Sequence, residues 1–214
     1  MTKHTLRDLM PVSRRTLLRT AAGGAILCAT PVLGSAGDGS EPRKGVDVAG
    51  LQLGLTGPHI RAEANLKRIV RLIEEHAQFA GPADFIILPT VPMPAWAERT
   101  LAPSVLSAKA TEYRTTIVLP LDGIRADAAV FTPGGDMSLA DGKTPRIVTS
   151  ACALAFSPGE VHLVDPVTGR EACTVTVGPS RMRITATDCG VLSTASGAGQ
   201  EIIRARVPMP IHRG

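Results

Sequence analysis

The feature that most constrains the fold is a run of four apolar residues, Phe85 to Leu88, that follows an amphipathic stretch. An uninterrupted apolar run of this length is typical of a strand that is buried on both faces of a sheet. In the stretch before it, apolar residues recur at i, i+3, i+4 and i+7 from Leu66 onwards, which predicts a helix over residues 61–77. A mostly apolar strand is predicted over residues 46–55. The order strand, helix, strand predicts a parallel pair of strands.

The rest of the chain is richer in strand patterns. A weaker helix is predicted over residues 104–113, and turn signals separate short runs of apolar and β-branched residues. The strands predicted in this part cover residues 116–119, 128–131, 147–156, 161–164, 172–177, 182–187 and 202–207. We therefore expect an α/β front half followed by a β-rich back half.

The first 36 residues have the pattern of a twin-arginine export signal. Arg14 and Arg15 follow a serine and precede two leucines, and the apolar stretch over residues 20–33 is too short to cross a bilayer. The small residues at positions 34–36 predict signal cleavage directly after them. We expect the twin-arginine export machinery to recognise Arg14 and Arg15, so that the mature protein is periplasmic or secreted.

Removal of the signal also removes the net charge. Residues 1–36 hold five of the 23 basic residues but only one of the 19 acidic residues, so the mature chain has equal numbers of both. A neutral chain with few aromatic residues argues against nucleic acid or anionic lipid as a partner, and we expect no stable membrane anchor. A homo-oligomer is compatible with the sequence. After the signal, we expect a linker over residues 37–45, one domain over residues 46–207 and a tail over residues 208–214.

Three cysteines remain in the mature chain, namely Cys152, Cys173 and Cys189. They show no Cys-x-x-Cys spacing, and no histidine stands at ligand spacing, so we expect neither a metal site nor a cofactor. An oxidising compartment would allow one disulfide among the three, but the sequence does not select the pair.

Several local patterns occur in the order that they have in the nitrilase, or carbon–nitrogen hydrolase, superfamily. They are GLQLGL over residues 50–55, ADFIILP over 83–89, TTIVLP over 115–120, DAAVFTPGGD over 127–136 and GPSRMRITATDCGVLSTASGAGQEIIRARV over 178–207. The chain thus resembles that superfamily over most of its mature length. The resemblance implies a nitrilase-like α/β sandwich that hydrolyses an amide or nitrile with a cysteine nucleophile, a glutamate base and a lysine.

At two of the three positions that the resemblance assigns to catalysis, this chain carries a different residue type. Thr90 stands where the base should follow the ADFIILP pattern, and a threonine hydroxyl cannot accept a thiol proton as a carboxylate does. The Gly169-Arg170 pair places the nucleophile at Thr176. Lys143 is the sole candidate for the lysine, and its alternative role is that of a solvated loop cation.

Cys173 lies three residues before Thr176. Because side chains alternate along a strand, this offset predicts that Cys173 faces the core and reacts slowly with thiol reagents. In the alternative hypothesis of an active hydrolase, the nucleophile is Cys173 or Cys189. The candidate bases for that hypothesis are Asp84, Glu160 and Asp165.

The chain is also shorter than the superfamily pattern. Only a few residues separate the expected nucleophile strand from the closing hairpin, so a helix, a strand and a helix are missing between them. We interpret the protein as an exported, truncated hydrolase-like protein that has lost its base and its nucleophile. The rival hypotheses are an active amide or nitrile hydrolase and a periplasmic binding or assembly module that uses a sheet edge or an apolar face.

Overall fold

The computed structural model describes residues 43–52, 62–92, 101–122, 127–141, 146–177, 181–196 and 202–210. All of them belong to one unit that spans residues 39–214. The predicted export signal over residues 1–36 lies outside the described residues. The described part of the chain contains two helices and thirteen strands. The strands form two β-sheets, and both helices pack against the first sheet.

The bounds of the elements are as follows. The helices are α1 (Ala62–Ala80) and α2 (Leu101–Glu112). The strands of the first sheet are β1 (Arg43–Leu51), β2 (Phe85–Ile87), β3 (Val91–Pro92), β4 (Thr116–Asp122), β5 (Ala128–Phe131), β6 (Met137–Ala140) and β13 (Ile202–Pro210). The strands of the second sheet are β7 (Arg146–Val148), β8 (Ala153–Ser157), β9 (Glu160–Val164), β10 (Glu171–Val177), β11 (Arg181–Ala186) and β12 (Gly190–Ser196).

The first sheet has the order β13-β1-β2-β4-β5-β6, with β3 paired to β4 beside this path. β1, β2 and β4 are parallel, which confirms the predicted parallel pair. Phe85 and Ile87 of β2 face the second sheet, whereas Ile86 faces the helices. The uninterrupted apolar run of β2 therefore reflects burial on both faces.

The second sheet is a meander in which each strand from β7 to β12 pairs antiparallel with its neighbour in the chain. A two-residue turn connects β8 to β9, and its Gly159 has a φ of 74°, which glycine adopts without steric cost. The single strand predicted over residues 147–156 is in fact two strands, β7 and β8. They are separated by a turn in which the Thr149 hydroxyl donates to the Cys152 carbonyl oxygen at 2.8 Å.

The predicted nitrilase-like α/β sandwich is wrong, because the described chain is mostly β-sheet, with two helices and two sheets. Both helices lie on the first sheet, and the second sheet is antiparallel throughout its described strands. The physical reason is the short connection from β10 to β11, which spans residues 178–180 and leaves no room for a crossover helix. The β-rich pattern of the back half reflects this meander.

Two apolar layers hold these elements together. One lies between the sheets and contains Phe85, Leu154 and Cys173, and the other lies between the first sheet and the helices and contains Leu72, Ile86 and Leu106. The helices are also joined by an ion pair between Lys109 and Glu74 at 2.7 Å. In the described part of the chain, neither helix is long and apolar enough to cross a membrane.

The carboxyl end of α1 is fastened to β13 by Arg204. Its guanidinium donates to the carbonyl oxygen of Ala80 and contacts those of Gly81 and Pro82 at 3.4 Å. His76 lies one turn before this end, is only 4% exposed and has no hydrogen-bond partner for Nε2 within the described structure. Burial, reinforced by the positive charge of Arg204, lowers the pKa of His76 below its ordinary value of 6.5.

Candidate functional site

The residues predicted at the catalytic positions lie on different parts of the fold. Thr90 is half-buried and follows β2 of the first sheet. Thr176 lies on β10 of the second sheet, where it pairs in register with Glu160 and Arg183. Its neighbours Val175 and Val177 are buried against the first sheet, so Thr176 points to the outer face. Lys143 lies outside the described residues.

Cys173 faces the core, as the strand alternation predicts. Its side chain is fully buried in the layer between the sheets, on the face of β10 opposite to Thr176. Burial raises the pKa of the Cys173 thiol to about 12. Because the thiolate is the reactive form of cysteine, this thiol is both covered and held in its unreactive form.

The other two cysteines differ from each other in exposure. Cys152 is buried, and burial raises the pKa of its thiol to about 12. Cys189 is exposed in the turn between β11 and β12. All three cysteines in the described structure are free thiols.

The three carboxylates considered as alternative bases have other roles. Asp84 accepts a hydrogen bond from the backbone N–H of Asp47 at 2.8 Å. Asp165 is buried and caps the turn between β9 and β10, accepting from the backbone N–H of Val167 at 2.8 Å. Glu160 lies on the outer face of the second sheet, so it cannot reach the thiol of Cys173 in the core. The structure therefore does not assemble the alternative cysteine hydrolase around Cys173.

A set of four polar residues, not predicted as a group from the sequence, lies on the outer face of the second sheet. We call it the His162 relay, and it consists of Ser157, His162, Glu171 and Thr174. Ser157 Oγ lies 2.8 Å from His162 Nε2. On the other side of the ring, His162 Nδ1 lies 2.9 Å from Glu171 Oε2 and 3.1 Å from Thr174 Oγ1.

For a neutral imidazole, the contacts at Nδ1 select one tautomer of His162. The Thr174 hydroxyl donates to Glu171 Oε1, so its single hydrogen is not available to the imidazole. His162 Nδ1 faces the other oxygen of the Glu171 carboxylate, which can only accept, and Nδ1 therefore carries the ring hydrogen. In this tautomer Nε2 can accept the hydroxyl hydrogen of Ser157 at 2.8 Å, and Glu160 Oε2 at 3.3 Å is a second, longer acceptor for the same hydrogen. The relay thus links a hydroxyl, an imidazole base and a carboxylate in series.

Two carboxylates make this region negative. The first is Glu171, and the second is Glu160, whose Oε2 atom accepts from Ser157 Oγ at 3.3 Å and lies 3.6 Å from His162 Nε2. The His162 side chain is 19% exposed, whereas Glu160 and Glu171 are 41% and 45% exposed. Because the carboxylates contact opposite ring nitrogens, they do not converge on one point as metal ligands would. Among the described residues, no group of His, Cys, Asp or Glu could hold a metal ion.

Part of the His162 relay can be predicted from the sequence. Ser157-Pro158-Gly159-Glu160 is a tight-turn pattern, and a two-residue turn at Pro158-Gly159 would place Ser157 opposite Glu160 and His162 on the same face. Glu171 and Thr174 could not be added in this way. Their position depends on how β10 pairs with β9, and a β-bulge lies in that pairing between Glu171 and Cys173.

No protein-family model matches the chain, and no curated protein matches it in sequence. Among solved structures, it is similar to an N-terminal amidase crystallised with an Asn-Glu-Ala peptide, with 11% identity and a TM-score of 0.36. The match covers 51% of this chain and 30% of the amidase chain. A likeness this weak assigns no activity to the protein.

Proposed function

We propose that the protein is an exported, carbon–nitrogen hydrolase-like protein that does not cleave amides or nitriles by cysteine catalysis. The observation that carries this proposal is the burial of Cys173 on the face of β10 opposite to Thr176. Covalent catalysis by cysteine needs an accessible thiolate beside a base. Here the thiol faces the core, and the resemblance assigns the base to position 90, where this chain has a threonine.

The geometry also argues against repair of the site by a small change. Thr176 lies on the outer face of the second sheet, whereas Thr90 follows a strand of the first sheet. A thiol at position 176 would point away from the first sheet, to which a carboxylate at position 90 would belong. The three-residue connection after β10 provides no helix to support a nucleophile.

The first test is an assay for ammonia release from simple amides and nitriles. We expect the native protein to release ammonia at the background rate, because the thiol and the base are both absent from the expected positions. We also expect no activity from the Thr90→Glu, Thr176→Cys double variant, since two correct side chains without a supporting cleft do not form a catalytic unit. Thr90→Glu alone is the matched control. Ammonia release that iodoacetamide abolishes would contradict the proposal.

Export by the twin-arginine route is the second part of the proposal. It is supported by the paired arginines Arg14 and Arg15 and by the short apolar stretch that follows them. In this hypothesis the mature protein functions in the periplasm or outside the cell.

The second test replaces both Arg14 and Arg15 by lysine, which keeps the charge but removes the guanidinium groups. We expect this variant to accumulate in the cytoplasm as the uncleaved chain, and cell fractionation followed by mass spectrometry measures this. Arg7→Lys, which lies before the paired arginines, is the control and should be exported and shortened normally. Normal export of the double-lysine variant would refute the assigned route.

A further inference from the structure

We infer that Ser157, His162 and Glu171 form a serine hydrolase site that transfers the acyl group of a carboxylic ester to water. This site lies on the outer face of the second sheet, whereas Cys173 faces the inner layer. It is therefore separate from the lost cysteine chemistry and does not depend on the proposed function.

The three residues occupy the roles of nucleophile, base and orienting group. A hydroxyl nucleophile needs a base within about 2.6–3.2 Å, and the base needs a third group that fixes its orientation and tautomer. Ser157 Oγ meets His162 Nε2 at 2.8 Å, and His162 Nδ1 meets Glu171 Oε2 at 2.9 Å. Such sites are recognised by geometry and not by the order of residues in the sequence.

The sheet holds these groups in place. His162 lies within β9, which is hydrogen-bonded to β8 on one side and to β10 on the other. Ser157 is fixed by the tight turn that follows it, and the β-bulge beside Glu171 alters the direction of the chain where the carboxylate meets the imidazole. The Thr174 hydroxyl donates to the other oxygen of the Glu171 carboxylate, Oε1. Regular strands position such groups more accurately than loops do.

The reaction proceeds in two balanced steps. In the first, Ser157 Oγ forms a bond with the ester carbonyl carbon while its proton moves to His162 Nε2. The bond from that carbon to the alcohol oxygen then breaks, and the alcohol leaves with the proton from Nε2. In the second step, water gives a proton to Nε2 and attacks the acyl-serine. The carboxylic acid leaves, and the proton returns to Ser157 Oγ.

The charges around the relay select the substrate class. Glu160 lies 3.3 Å from Ser157 Oγ, so its carboxylate opposes the accumulation of negative charge on the carbonyl oxygen. The site therefore suits esters with a good leaving group, such as a phenol, over amides. Glu160 and Glu171 also disfavour anionic substrates, so neutral and cationic esters are expected to react faster than anionic esters.

The test uses the full chain with a fluorophosphonate probe and with 4-nitrophenyl acetate. The activated serine forms a bond to the probe phosphorus, fluoride leaves, and His162 takes the hydroxyl proton. We expect mass spectrometry to find the probe on Ser157 in the native protein. Ser157→Ala should abolish labelling, and His162→Gln should lower the rate of ester hydrolysis by about 10²- to 10⁴-fold, the usual contribution of a general base.

Two further variants separate catalysis from folding. Glu171→Gln keeps the size of the positioning residue and should lower kcat while leaving KM unchanged. Thr185→Ala changes the residue that pairs with Thr174 on the next strand and lies outside the relay, so labelling should be unaffected. Circular dichroism checks that each variant keeps the native fold.

The inference is overturned if the native protein is not labelled at Ser157, or if His162→Gln or heat-denatured protein is labelled equally fast. It is also overturned if iodoacetamide, which blocks cysteine catalysis, removes the esterase activity. Ammonia release from amides that iodoacetamide abolishes would instead contradict the proposed loss of cysteine chemistry, so the two failures are distinguishable.

Discussion

Replacing Phe85 by alanine is expected to lower the free energy of unfolding by about 3–5 kcal/mol. The ring is fully buried in β2, at the centre of the layer between the sheets. Its removal loses the transfer free energy of a large apolar side chain and leaves a cavity that the two sheets cannot close. For a chain of this size, the loss corresponds to a decrease in Tm of roughly 6–20 °C.

Phe79→Ala is the matched control for this prediction. This variant makes the same substitution at a side chain that is 86% exposed, near the end of α1. Its replacement should change the free energy of unfolding by no more than about 0.5 kcal/mol. Urea unfolding followed by circular dichroism measures both variants. An equal decrease in the free energy of unfolding in the two variants would show that β2 does not lie between two apolar layers.

The stability of the protein is expected to fall as the pH is lowered through and below 6.5, because of His76. Burial lowers the pKa of His76 in the folded protein below the ordinary value of 6.5 that it regains on unfolding. Below pH 6.5 the unfolded chain therefore binds a proton that the folded chain does not, and protonation favours unfolding. This contribution vanishes above pH 6.5, where the ring is neutral in both states.

His76→Leu tests this prediction. The variant has no titrating group at this position and no buried Nε2 without a partner, so it should be more stable than the native protein at pH 5.5. The difference in the urea midpoint between native and variant protein should shrink between pH 5.5 and pH 7.5, and other titrating groups cancel in this difference. An unchanged difference would mean that His76 is not the group responsible.

Local sequence patterns correctly predicted the features that depend on a single segment of the chain. The helical spacing from Leu66 predicted α1, and the apolar run from Phe85 predicted a strand that is buried on both faces. Strand alternation also placed Cys173 in the core, because residues 173 and 176 necessarily face opposite sides of β10.

Properties that depend on several segments could not be predicted in this way. The relay brings together Ser157, His162 and Glu171 from three strands, and its geometry requires two registers and a β-bulge. The predicted α/β sandwich failed for a related reason. Both predicted helices are present among the described residues, but their patterns did not indicate that both pack on the same sheet.

The pairing of β1 with β13 has a consequence for the order of folding. These strands pair over nine residues, from Arg43 with Pro210 to Leu51 with Ile202, although they lie at opposite ends of the described chain. During synthesis on a ribosome, the hairpins of the second sheet can form as they emerge, because their contacts are local. One edge of β1 stays unpaired until β13, the last strand, has been synthesised. In a prematurely terminated chain this edge of β1 would therefore stay exposed, whereas in the finished chain β13 covers it and becomes the edge strand of the sheet.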